Sequence, residues 1–152
     1  MLWLSKNFTL KELTNSDTAT RLGIANAPSP EQILNLEYLV TRVLQPIRDH
    51  YGMPVILKSG FRSLELNRAL NSKDTSQHIS GMAADIEING VSNVALAEWI
   101  RDNLEFDQLI LEFYTSGDPS SGWVHVSLTP RRNRNECLTI TKSAIMRGIR
   151  GG

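Results

Sequence analysis

A chain of 152 residues can bury roughly 70% of its unfolded surface in one core, and with 41% hydrophobic and 21% charged residues it reads as a single globular domain over 1–152, neither disordered nor membrane-spanning. Sixteen basic residues balance sixteen acidic ones, which argues against a dedicated nucleic-acid binder. Cys137 is the sole cysteine, so an internal disulfide and a thiolate metal knot are excluded, and any metal must be held by His, Asp or Glu.

At the N-terminus only residues 1–4 are apolar before Ser5 and Lys6, too few for a secretion signal, so the expectation is synthesis and retention in the cytoplasm until something releases the protein. In "FTLKEL", Thr9 stands three residues before Glu12, a capping box that predicts a short helix from Leu10. The run "APSPEQILNLEYLVTRVLQPIRDHYG" predicts the longest helix. Ser29 caps it, Pro30 takes the first position and Gln32 completes the box. Ile33, Leu36, Val40, Val43, Leu44 and Ile47 share one face, and Gly52 can close the end in the left-handed conformation. Pro46 removes an amide donor and crowds the carbonyl of Arg42, which predicts a kink. His50, near the C-terminal end, meets the helix dipole favourably and reads as structural.

Beyond this helix, "PVILK" predicts a strand, Ser63 caps a short helix through Leu70, and residues 71–77 form a polar loop. A strand follows at 83–88, then a helix capped by Ser92 that carries Val94, Ala95, Ala97, Trp99 and Ile100. "FDQLILEF" and "WVHVSL" predict two strands joined by a loop rich in Gly, Pro and Ser, and "CLTIT" a last strand. Helices early and strands late predict an α+β domain, with helices on one face of a small, mostly antiparallel sheet. From Thr129 onward, six basic residues (Arg131, Arg132, Arg134, Lys142, Arg147, Arg150) accompany Glu136 alone. The ordinary reading is a solvated end, flexible from about residue 143; the sharper one is contact with an anionic surface.

The chemistry concentrates in two stretches. In "SQHISGMAADIEI", His78 and Asp85 stand seven residues apart across a glycine turn. In "WVHVSL", period-two alternation sends Val124 and Val126 to one face and Trp123, His125 and Ser127 to the other. Two histidines and a carboxylate make up a donor set that suits catalytic zinc with its fourth position open, and also iron. Taken singly, a strand histidine is usually an ordinary surface or core residue and an aspartate after a glycine turn usually a capping or turn residue.

The segment "SQHISGMAAD" fits the pattern S-x-H-x-x-G-x-A-x-D. Together with "WVHVS", "SGFRS" and the opening "NFTLKEL", it makes the chain resemble the zinc D-Ala-D-Ala carboxypeptidases and murein endopeptidases, a family related to Hedgehog signalling domains, over nearly all of residues 4–128. The resemblance implies that fold, zinc on His78, Asp85 and His125, and Arg62 beside the metal. There a permanent guanidinium charge can hold a substrate carbonyl or the oxyanion that develops on it. Several relatives carry a catalytic carboxylate three residues before the second histidine; Gly122 stands there in this chain, so another carboxylate must serve. Glu112 is the first candidate for general base, since it faces the His125 strand if the two strands pair as a hairpin, and the nearest phage-type relatives look to carry a glutamate there. Asp118, in the connecting loop, is the reserve. Glu87, on the strand face of Asp85, is a candidate to support the ligands, while Ser76 and Ser127 are candidates to orient ligands or substrate. Gly81 and Ala83 keep the turn between the first two ligands compact.

In function, the resemblance implies zinc-dependent hydrolysis of peptidoglycan stem peptides at D-Ala, as carboxypeptidase or endopeptidase, in a phage or prophage endolysin. Such a lysin would be a monomer with no membrane insertion and no nucleic-acid partner, made without a signal and acting on the cell wall from the host periplasm. Two readings compete: a lysin that cuts between L-Ala and D-Glu, and a non-catalytic, zinc-stabilised binding domain. A carboxylate aimed at the metal site separates turnover from binding.

Overall fold

The computed structural model describes residues 1–151. Strands β1 (Trp3–Ser5) and β2 (Phe8–Thr9) pair with each other and lead into α1 (Leu10–Thr14), whose capping box is complete: Glu12 N–H donates to Thr9 Oγ1, and Glu12 Oε1 accepts from Thr9 N–H. Helix α2 (Asp17–Leu22) was not foreseen, although its signals are present: Ser16 caps its start and Gly23 closes its end at φ 68°.

The long helix starts at Pro30 with both bonds of the Ser29–Gln32 box, but it is not continuous α-helix. Helix α3 (Pro30–Leu39) passes into a π-helical turn, Val40–Leu44, and then α4 (Gln45–Tyr51), which ends at Gly52. Pro46 is the cause. It has no N–H to offer the previous turn, so the chain widens just before it, and Gln45 N–H reaches Val40 O. The expected kink is therefore absorbed as an expanded turn. The predicted apolar face is retained: Leu36, Val40, Val43, Leu44 and Ile47 are fully buried, each worth about 1.5–3 kcal/mol of burial, with Ile33 packed at the edge.

The remaining elements are β3 (Ile56–Ser59), α5 (Leu64–Ala69), β4 (Ala83–Glu87), α6 (Asn93–Asn103), β5 (Gln108–Glu112), β6 (Trp123–Ser127), β7 (Glu136–Ile140) and β8 (Ile145–Arg147). The second sheet has the order β3-β4-β6-β5-β7-β8, antiparallel at every neighbouring pair except β5–β7, which is parallel. Strand β7 is thus not the last. The stretch from about residue 143 lies at the sheet edge, where Leu138 pairs with Arg147 and Ile140 with Ile145.

One face of the sheet supplies Ala84, Ile86, Leu109, Leu111, Val124 and Val126 to a core shared with α3, the π-helical turn, α4 and α6. Alternation then commits Asp85, His125 and Glu112 to the opposite face. His50 belongs to neither: it stacks on Trp99 with ring centroids 4.3 Å apart, the structural role expected of it. No helix among the described residues is long and apolar enough to cross a membrane.

Candidate active site

Asp85 on β4 and His125 on β6 are directly opposite residues of adjacent antiparallel strands, so their side chains leave the sheet side by side. His78 comes from the turn before β4. Helix α3 pins that turn: Gln32 Nε2 donates to Ile79 O and Asn35 Nδ2 to Ser80 O. Gly81 is indispensable here, since at φ 74° a Cβ would stand 2.6 Å from the Gln32 carbonyl oxygen.

The three side chains converge. His125 Nδ1 lies 2.9 Å and His78 Nε2 3.3 Å from the same Asp85 Oδ1, and all three ligand atoms lie within 4.8 Å of one another. A tetrahedron with arms of about 2.0–2.1 Å has edges of roughly 3.3–3.4 Å, so the donor set fits zinc with little adjustment and leaves one corner free. The tautomer of His78 is determined by its other nitrogen, which is 2.7 Å from Gly60 O and donates to it, leaving Nε2 as the free lone pair. Burial alone would push the Asp85 carboxyl up. The imidazoles of His125 and His78 against its Oδ1 hold it well below the usual carboxylate range. Burial likewise lowers His78, against the pull of Asp85, so both groups are in the state a metal ligand needs.

Arg62 covers the far side of Asp85. Its Nε donates to Ser59 Oγ (2.9 Å), one terminal nitrogen to Asn67 Oδ1 (3.2 Å) and the other to Asp85 Oδ2 (3.3 Å). Three of its five N–H groups are engaged and two remain for a substrate. Asn67 is itself fully buried and donates to Lys73 O, so the guanidinium is held by a rigid anchor. These supports were not foreseen; Ser59 lies within the quoted "SGFRS", but nothing local marks Asn67 as its partner.

Glu112, at the end of β5, pairs directly with Trp123 and so sits on the same sheet face as His125. It lines a cavity of about 480 Å³ together with Arg62, His78, Asp85, His125 and Phe113. Burial raises its carboxyl, His125 and Arg62 pull it down, and Asp85 pushes it up. Asp118 is exposed instead, and its carboxylate accepts from Ser120 N–H in the connecting loop. Gly122 cannot carry the carboxylate some relatives place there: at φ 66° its Cβ would fall 1.8 Å from Glu112 O. Next to this contact Phe113 adopts φ 51°, unusual for a bulky residue, which turns its half-exposed ring out beside Trp123 as a wall of the cavity.

Two sequence expectations are corrected. Ser127 shares the face of His125 but is fully buried, and its hydroxyl accepts from Gln108 N–H, so it is not available to substrate. Glu87 does not support the ligands; it pairs with Lys58 at 3.3 Å. Ser76 remains at the cavity wall, where its hydroxyl accepts from His78 N–H.

No curated protein matches the chain. A family model does: that of Peptidase M15 matches residues 6–127. The chain belongs to the Peptidase M15 family, whose members are zinc peptidases, and the histidine–aspartate–histidine group is its candidate zinc site.

Proposed function

We propose that this Peptidase M15 member hydrolyses peptidoglycan stem peptides at D-Ala, as a D,D-peptidase of a phage or prophage lysin, with His78, Asp85 and His125 holding the zinc. The observation that carries the reading is the position of Glu112, a partly buried carboxylate in the same cavity as the three ligands and Arg62. A site that only stabilises a fold has no use for a carboxylate in its open cavity.

Zinc, when bound, supplies a Lewis acid that polarises the scissile carbonyl and makes water acidic enough to react near neutral pH. The chain's own residues do the rest. Glu112 takes the proton of the attacking water as its hydroxyl joins the acyl carbon, then returns that proton to the amine as the C–N bond breaks. The two N–H groups of Arg62 that its partners leave free would donate to the oxygen on which negative charge builds. Because Ser59, Asn67 and Asp85 fix the guanidinium beforehand, little reorganisation is needed at the moment of reaction.

The test is digestion of purified peptidoglycan by the zinc-loaded protein and by Glu112→Gln, with fragments identified by mass spectrometry and metal counted in both. Wild type should release D-Ala or split D-Ala crosslinks, and the variant should keep zinc while losing at least about 100-fold in rate. A cut between L-Ala and D-Glu would move the bond. An inert wild type that holds zinc would leave a binding domain.

A further inference from the structure

We propose that Leu70, Phe113 and Trp123 form an apolar subsite beside the His78–Asp85–His125 group. It takes the aliphatic stem of a diamino acid side chain in the substrate, with Asp17 beyond it to receive the amine. Such a subsite presupposes the peptidase reading and deepens it by naming the substrate residue that the cleft selects.

The three side chains come from separate elements: Leu70 from the residue after α5, Phe113 from the residue after β5 and Trp123 from the start of β6. All three line the cavity that holds the ligands and Glu112, and its remaining lining residues are polar or charged. Among the described residues, the hydrophobic core includes none of the three. Leu70 is 40% and Phe113 55% exposed, so folding gains little from burying either.

Phe113 carries a second cost. At φ 51° a bulky side chain is strained, whereas glycine makes the same turn freely. The turn brings Tyr114 N–H to Ile140 O on β7, a bond in which the ring takes no part. What the ring does is stand 5.2 Å from that of Trp123, at an interplanar angle of 31°, in the wall of the cavity. An apolar group held exposed and under strain at a cleft gains free energy when an apolar ligand covers it.

The neighbouring bay narrows the choice of ligand. Leu70 and Trp123 also line a second cavity of about 440 Å³, whose lining includes Asp17 and Lys58. Lys58 is held by Glu87 at 3.3 Å, and Arg62, which lines both cavities, by Asp85 at 3.3 Å. Asp17 is exposed and makes no ion pair among the described residues. A run of methylenes ending in an ammonium matches this order, apolar wall first and free carboxylate after it. In stem peptides the residue of that chemistry is the diamino acid through which they are crosslinked. The alanines offer only a methyl group, and the glutamate carries the charge that Asp17 repels.

The experiment is calorimetric titration of zinc-loaded Glu112→Gln with three stem pentapeptides that differ only at the third residue, which is lysine, norleucine or alanine. The lysine peptide should bind at least about tenfold more tightly than the alanine peptide, which is about 1.4 kcal/mol. Phe113→Gly, which keeps the left-handed turn, and Leu70→Ala are then added singly to the same background. Each should weaken the lysine and norleucine peptides at least about fivefold and the alanine peptide by less than about twofold. Asp17→Asn should weaken the lysine peptide alone. A general disturbance of the cleft would lower all three affinities together. Equal affinity for lysine and alanine, an equal loss for all three peptides in either apolar variant that keeps its zinc, an Asp17→Asn that treats lysine and norleucine alike, or no binding of any peptide would each overturn the proposal. Cleavage by wild type is scored separately. Lysine-dependent binding without cleavage defeats the peptidase reading and leaves the subsite, whereas cleavage of the lysine and alanine peptides at equal kcat/KM defeats the subsite and leaves the peptidase.

Discussion

Two buried aspartates, Asp85 and Asp107, each pair with an arginine, and their surroundings differ in the one respect that matters for chemistry. Asp107 is saturated: Arg134 donates to it through its backbone N–H, Nε and a terminal nitrogen, and Gln77 through Nε2. All of its partners are donors that keep their protons, so the cluster is closed and serves to tie the 129–135 loop to the start of β5. Asp85 meets two imidazoles whose ring nitrogens point at a single oxygen, with Arg62 on the other. Imidazole can give up its proton and present a lone pair, so three donors to a cation converge there and the group opens on the cleft. Burial and a bound arginine do not mark a metal site; convergent lone pairs do.

The largest expected effect breaks the comparison outright. Asp85→Ala should abolish stoichiometric zinc binding and lower peptidase activity by more than about 100-fold, since groups that merely support a ligand are commonly worth about 10–100-fold; metal analysis and a peptidoglycan assay on the same preparation check it. Asp107→Ala should do the opposite. Zinc content stays near one per chain while stability falls by about 1–2 kcal/mol, because Gln77 Nε2 and the Arg134 backbone N–H lose their acceptor while the half-exposed Arg134 side chain can turn to water, measured as a lower urea midpoint.

Acid should remove the contribution of Asp107. Arg134 beside Asp107 holds its carboxyl at about 2, below its value near 4 in the unfolded chain. A folded pKa below the unfolded one means the stabilisation is present above about pH 4 and lost as pH falls towards 2. Urea midpoints of wild type and Asp107→Asn should therefore converge between pH 4 and 2 and differ by a constant amount above pH 5; a constant difference over the whole range would remove Asp107 from that role.

Smaller effects probe the surroundings of Asp85. Ser59→Ala removes one of the three anchors of Arg62 and should cost about 1 kcal/mol of stability, with a lower kcat and unchanged zinc. Glu87→Gln should change stability by no more than about 0.5 kcal/mol, and zinc affinity not at all, because its partner Lys58 is half-exposed and the pair lies outside the ligand group. A loss of zinc in Glu87→Gln would restore it to the support of the ligands.

Much of this was legible in the sequence. The capping boxes at Thr9 and Ser29, the caps at Ser63 and Ser92 and the alternation of β6 are each complete within three or four residues, so the chain declares them without reference to the fold. The position of Glu112 was legible only on the condition that β5 and β6 pair as a hairpin, which they do. What escaped depends on partners far along the chain. Strands β1, β2 and β8 are too short to show a period and exist because something pairs with them. Ser127 has the right parity for the site, yet β5 covers it. Asp107 and Arg134 stand 27 residues apart, and neither looks unusual alone.

The sequence by itself determined which residue types are available for chemistry and which face of each strand they occupy, because side-chain direction follows from backbone period. Only the tertiary structure decided that Arg62 is braced by Asn67 and that Glu112 and not Asp118 shares the cavity of the ligands. Those are matters of distance between elements, and distances between elements are set by packing the whole core at once.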